Sequence, residues 1–140
     1  VTNSITITQS LQHVPNLEIV VAGGTLRHNT QALAGPLTEE TLNKLRVDTC
    51  FIATNGLDIA EGLTTPNILE AATKRSMMAI AKRVVLLADH TKIGKVSFAK
   101  FGDLSDIDAY VVDDKIPKDA LDALVKMKIQ VCIAPVGRGE

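Results

Sequence analysis

Five apolar runs rich in β-branched residues, most of them separated by a helix-length segment, constrain this chain more than any other feature. They are LEIVVA (17–22), DTCFIA (48–53), RVVLLAD (83–89), DAYVVDD (108–114) and IQVCIA (129–134). Several are near-continuous rather than alternating, the pattern of strands buried on both faces of a parallel sheet. Between them lie helix-like segments. PLTEETLNKL (36–45) opens on Pro36 at a first-turn position with acidic residues close behind, which suits the positive end of a helix dipole. PNILEAATKRSMMAIAK (66–82) is expected to be capped by Thr65, with Pro66 just inside and apolar residues at 69, 72, 79 and 80 on one face. PKDALDALVKMK (117–128) repeats the pattern. Strands alternating with helices in this way predict a three-layer αβα domain with a mostly parallel sheet. The least regular stretch, HTKIGKVSFAKFGDLSDI (90–107), is long enough for a functional loop and has room for a short helix or an extra strand.

At 140 residues and 46% apolar content the chain is expected to form one folded domain, 1–140, with a real core. Its 15 Lys and Arg are scattered among 16 Asp and Glu, so it lacks the clustered positive charge that binds nucleic acid. No run approaches the roughly 18 to 20 apolar residues that cross a bilayer, so no membrane association is expected. Cys50 and Cys132 sit inside apolar runs and read as inert buried thiols of a reducing compartment. His13, His28 and His90 have no metal-ligand spacing and no carboxylate or Cys grouped with them, so no metal site is expected. The opening Val-Thr-Asn-Ser, without Met or a signal pattern, reads as part of a longer chain.

In open α/β sheets ligands bind beyond the carboxyl ends of the strands, and here those positions are small and polar. VTNS, read as the exit of a truncated strand, offers Asn3 and Ser4; GGTLR offers Gly23, Gly24 and Arg27. TNGLD offers Asn55, Gly56 and Asp58, GLTTPN offers Gly62, Thr64 and Thr65 at a helix start, and DHTK offers Asp89 and Lys92. Converging on one rim, such amides, hydroxyls and cations would hold a small anion. Each piece also has a structural explanation. Paired glycines and Asn-Gly make turns, and Thr65 alone would cap a helix. Glu70 and Lys74 have the spacing of a surface ion pair, and Asp89 with Lys92 that of a rim salt bridge. No GxSxG elbow, P-loop or GxGxxG occurs.

The ordered set TNS, GGTLR, Gly35, DTCFIATNGLD, GLTTPNILEAATKR, VVLLADHTKIG and AYVVDD resembles the effector-sensing domain of DeoR-family bacterial transcription regulators over nearly the whole chain. The resemblance implies a cytoplasmic repressor of a sugar-utilisation operon whose C-terminal domain binds a phosphorylated sugar, with no cofactor and no catalytic residue. Lys74 joins the ligand set on this reading. In that family a winged helix-turn-helix and a further strand precede this region. Operator DNA would then be contacted only through the missing N-terminal domain, and loss of a strand would leave a sheet edge favouring a homo-oligomer. The domain is similar in fold to ribose-5-phosphate isomerase, here N-terminally truncated, which leaves an isomerase-like enzyme as the alternative. Matching ADHTK without gaps to the isomerase's Asp-x-Ser-Lys puts its catalytic Glu on Lys74, a poor base beside phosphate; with a gap, Glu70 is the fallback.

Overall fold

The computed structural model describes residues 1–137. In chain order the elements are α1 (Ile5–Leu11), β1 (Thr25–Arg27), β2 (Ala32–Ala34), α2 (Pro36–Asn43), β3 (Val47–Ala53), β4 (Gly56–Asp58), β5 (Gly62–Thr65), α3 (Ile68–Ala79), β6 (Ala81–Leu87), β7 (Ala99–Gly102), β8 (Ala109–Asp113), α4 (Lys118–Lys126) and β9 (Gln130–Ala134). The main sheet has the order β3-β6-β8-β9, parallel throughout, with flanking helices, so the three-layer α/β architecture holds. The consecutive burial of Val84, Val85 and Leu86 in β6 reflects cover on both faces, which is why that run does not alternate. A three-stranded antiparallel sheet, β4-β5-β7, sits on the irregular stretch, which supplies β7 and two single-turn helices at His90–Lys92 and Leu104–Asp106. The core joins Leu57, Leu63, Phe101, Leu86, Tyr110 and Leu124, and a smaller cluster joins Ala22, Leu42 and Ile80.

Four expectations change. LEIVVA forms no strand: it meets the chain start through one parallel bridge, Thr2 with Val21, and leaves Leu17, Val20 and Val21 exposed. A β-rich run becomes a strand only where a ladder partner lies alongside it, and here the pairing stops after Thr2 N–Val20 O and Ala22 N–Thr2 O. Cys132 is exposed because β9 is an edge strand, whereas Cys50 is buried and its thiol pKa is raised by desolvation. Helix α3 is capped by Asn67, whose Oδ1 accepts from the Leu69 and Glu70 amides, while Thr65 ends strand β5 and Pro66 precedes the cap. The face that α3 buries is Ala71, Thr73 and Met78; Leu69 and Ala79 are exposed.

Helix α1 has no signal in the sequence reading, because the alternating ITIT run favours a strand. Its start is made locally. Ser4 accepts from the Ile7 amide as N-cap, and the Thr8 hydroxyl donates back to the Ser4 carbonyl at 2.8 Å. The outer edge of β3 is unpaired among the described residues, and Phe51 on it is 66% exposed. A cavity of about 410 Å³ separates this edge from Val1–Asn3, walled by Ile7, Leu42, Val47, Met77 and Ile80.

Candidate functional site

At the carboxyl end of β3 the chain leaves the sheet through Thr54, whose buried hydroxyl is shared between the carbonyls of Gly56 (2.7 Å) and Thr64 (3.0 Å). That bond turns the backbone onto the β4-β5 hairpin. Asn67 then launches α3, placing Glu70 and Lys74 one turn apart beside the strand end. The result is a cavity of about 290 Å³ whose polar wall is Asn3, Thr30, Asn55, Glu70, Thr73 and Lys74, with Phe51 and Met77 among its apolar residues.

Lys74 and Glu70 do not form the surface pair that their spacing predicts. Lys74 Nζ donates to the Ala53 carbonyl at 2.6 Å and stands 4.9 Å from the Phe101 ring centroid, a cation–π contact. Burial lowers its pKa, and the Glu70 charge partly offsets that. Glu70 reaches the other way, to the connection between β1 and β2. Its Oε1 accepts from the Thr30 hydroxyl at 2.9 Å and lies 3.6 Å from Arg27 Nε. Asn55 Oδ1 accepts from Thr65 Oγ1 at 3.0 Å, and Asn3 Nδ2 donates to the Leu33 carbonyl at 2.8 Å. Each of these amides keeps polar capacity beyond the bond described.

A second polar group lies at the ends of β6 and β8. Asp89 caps the His90–Lys92 turn, accepting from the Thr91 amide at 2.8 Å and from its hydroxyl. Asp113 accepts from the His90 amide at 2.7 Å and contacts His90 Nδ1 at 2.8 Å. These bonds, the one from the His90 backbone foremost, hold the Asp113 pKa down to about 2. The expectation that no carboxylate accompanies a histidine is therefore corrected: ligating atoms of Asp89, His90 and Asp113 all lie within 4.8 Å of one another. The partners are 23 residues apart, beyond any local spacing rule. Lys92 forms no ion pair with Asp89 among the described contacts, and neither residue lines the cavity.

Of the residues expected on the rim, the cavity gathers Asn3, Asn55 and Lys74, with Arg27 one contact away through Glu70. The others hold the surrounding loops. Thr64 and Thr65 are buried within β5 rather than at a helix start, and Thr64 Oγ1 accepts from the Ser97 amide at 2.8 Å. Asp58 closes the β4-β5 turn by accepting from the amides of Ala60 and Glu61, and Gly56 and Gly62 belong to that hairpin. Ser4 caps α1, and the Gly23 carbonyl accepts from the Thr38 hydroxyl. Gly24, at φ 141°, packs so closely on α2 that a Cβ would collide with Thr38 Oγ1 and the Ala34 carbonyl.

Residues 1–114 match the family model described as the DeoR C-terminal sensor domain. The chain belongs to the DeoR sensor-domain family. It is 39% identical to the HTH-type transcriptional regulator GlpR of Haloferax volcanii, across 94% of this chain and 51% of that protein. Against the putative aga operon transcriptional repressor of Escherichia coli O157:H7 the identity is 30%, across 94% of this chain and 49% of the relative. Against the glycerol-3-phosphate regulon repressor of Escherichia coli K12 it is 28%, across 94% and 52%. The chain thus spans about half the length of the curated relatives it matches. No helix of the described residues is long and apolar enough to cross a membrane.

In this DeoR sensor domain the cavity threonines outside the expected rim set are Thr30, which stands outside every motif, and Thr73, which lies within GLTTPNILEAATKR but beyond the turn that drew attention to Thr64 and Thr65. Glu70 does carry a signal, its spacing from Lys74, but that spacing points to the surface rather than to the cavity it lines.

Proposed function

We propose that this DeoR sensor domain binds a phosphorylated sugar in the cavity between the end of β3 and the start of α3, without catalysing a reaction. The observation that carries this reading is Lys74, a part-buried ammonium in the cavity wall whose hydrogen-bond partner is a backbone carbonyl. An anionic ligand would supply the charge-assisted partner that the carbonyl does not. Asn3, Asn55 and Glu70 add amide and carboxylate groups suited to hydroxyls. The name of one relative, a glycerol-3-phosphate regulon repressor, supports a small organic phosphate as the ligand class. In a longer chain the ligand would bias a DNA-binding domain lying outside residues 1–140. The unpaired edge of β3 would be covered by a strand of that chain or of a second subunit.

A thermal-shift screen of phosphorylated pentoses, hexoses and trioses, followed by calorimetry on the best of them, tests the binding reading; absence of any saturable shift overturns it. Glu70, a carboxylate in the cavity wall, is the residue that would serve as base in the alternative, isomerase-like reading. Turnover of ribose 5-phosphate in a coupled assay would favour that reading over sensing.

A further inference from the structure

Both described contacts of the Glu70 carboxylate fall on the same oxygen, Oε1. The residues that make them, Arg27 and Thr30, belong to the β1-β2 hairpin. A carboxylate with one oxygen committed keeps acceptor capacity on the other, and the Glu70 side chain is 13% exposed where it lines the cavity. The far side of the hairpin is laced to the start of the chain. The Leu33 amide donates to the Asn3 carbonyl at 2.8 Å, Asn3 Nδ2 donates to the Leu33 carbonyl at 2.8 Å, and the Ile5 amide donates to the Gln31 carbonyl at 2.9 Å. The hairpin therefore touches α3 through Glu70 and the chain start through these three bonds.

We propose that Thr30 and Arg27 are positioning residues that fix the Glu70 carboxylate as acceptor for a ligand hydroxyl, so that occupancy of the cavity and docking of the hairpin are coupled. This rests on the ligand class proposed above. A ligand hydroxyl donating to Oε2 holds Glu70 in the rotamer that Thr30 and Arg27 already select, so each contact lowers the ordering cost of the other. The coupling is reciprocal, as any binding linkage must be. A firmer hairpin holds Asn3–Ile5 more firmly, and ligand occupancy thereby reaches the start of the chain. Inorganic phosphate, which has the charge for Lys74 but no polyol hydroxyl for Glu70, separates the two halves of the site.

The test uses the 140-residue chain, its Thr30→Val and Thr30→Ser variants, and calorimetry with glycerol 3-phosphate, glucose 6-phosphate, ribose 5-phosphate and inorganic phosphate. Thr30 is exposed, so neither substitution removes core packing. Loss of the Thr30 hydroxyl in Thr30→Val is expected to weaken the tightest organic phosphate roughly three- to tenfold, with inorganic phosphate unaffected and Thr30→Ser close to wild type. Hydrogen exchange at the Ile5 and Leu33 amides is expected to slow with the organic phosphate, not with inorganic phosphate, and the slowing to shrink in Thr30→Val. Equal losses for organic and inorganic phosphate would mark a merely structural role and overturn the proposal. So would wild-type affinity in Thr30→Val, or unchanged exchange while wild type binds the organic phosphate. If wild type binds none of the organic phosphates, the functional reading itself fails, and this role with it.

Discussion

Lys74 Nζ donates to the Ala53 carbonyl at 2.6 Å, which ties an ammonium of the cavity wall to the carboxyl end of β3. The carbonyl satisfies one of three ammonium donors, leaving the others for a ligand. Substituting Lys74 by Met removes the charge and keeps the apolar stem over Phe101. Affinity for the best organic phosphate is expected to fall by on the order of 1.5 to 3 kcal/mol, the range of a charge-assisted bond, with little change in folding. Calorimetric titration of both proteins measures this; equal affinities would remove Lys74 from the site.

The same residue gives the site a pH dependence. Burial lowers the Lys74 pKa below its ordinary 10.5, so the ammonium is lost earlier on the alkaline side than an exposed lysine would be. Affinity for an organic phosphate should therefore decline as pH rises toward 10.5, and this component should be absent from Lys74→Met. For folding the sign is opposite. The unfolded chain binds this proton more tightly, so the Lys74 contribution to stability rises with pH through the same window.

Asp113 acts at the acid end. Its pKa falls from 3.8 in the ordinary case to about 2, so its contribution to stability is fully present above 3.8 and is lost as pH falls through about 2. Asp113→Asn should be less stable than wild type at neutral pH, and the difference should close across that window. Urea unfolding followed by circular dichroism at several pH values checks this, and a pH-independent difference would mean that the bonds Asp113 makes with His90, and accepts from the Lys115 amide at 2.9 Å, do not depend on ionisation.

Gly24→Ala tests the close approach of the β1-β2 hairpin to α2. The residue has φ 141°, and a Cβ there meets Thr38 Oγ1 and the Ala34 carbonyl, so backbone strain and overlap act together. A stability loss of roughly 2 to 4 kcal/mol is expected, measured by denaturant unfolding. A change within error would show that α2 moves away without cost.

Asn67 and Thr65 can be separated by exchange at single amides. Asn67→Ala removes the acceptor for Leu69 and Glu70, which should cost about 1 kcal/mol and speed exchange at both amides. Thr65→Val, which deletes a hydroxyl bonded to Asn55, should leave those two amides protected. The reverse result would restore Thr65 as the cap.

What the sequence by itself determined is the set of properties written at short range. The near-continuous run at Val84–Leu86 required a strand covered on both faces, and Pro36 and Pro117 lie at the starts of α2 and α4 as their geometry demands. The ordered motifs from TNS to AYVVDD carried the family, since each is a contiguous run of the chain. Tertiary structure decided the rest. LEIVVA had the composition of a strand but found a single bridge, because a ladder is a property of two segments. GLTTPN was read as placing Thr65 at the cap, but Thr65 is held in β5 by its pairing with Ala99 of β7, and the cap fell to Asn67. The cavity itself was least legible. Glu70 meets Thr30 across 40 residues and His90 meets Asp113 across 23, and a hydrogen bond between side chains at such separation leaves no periodicity to read. Local chemistry selects the elements, whereas only their packing selects which polar atoms share a wall.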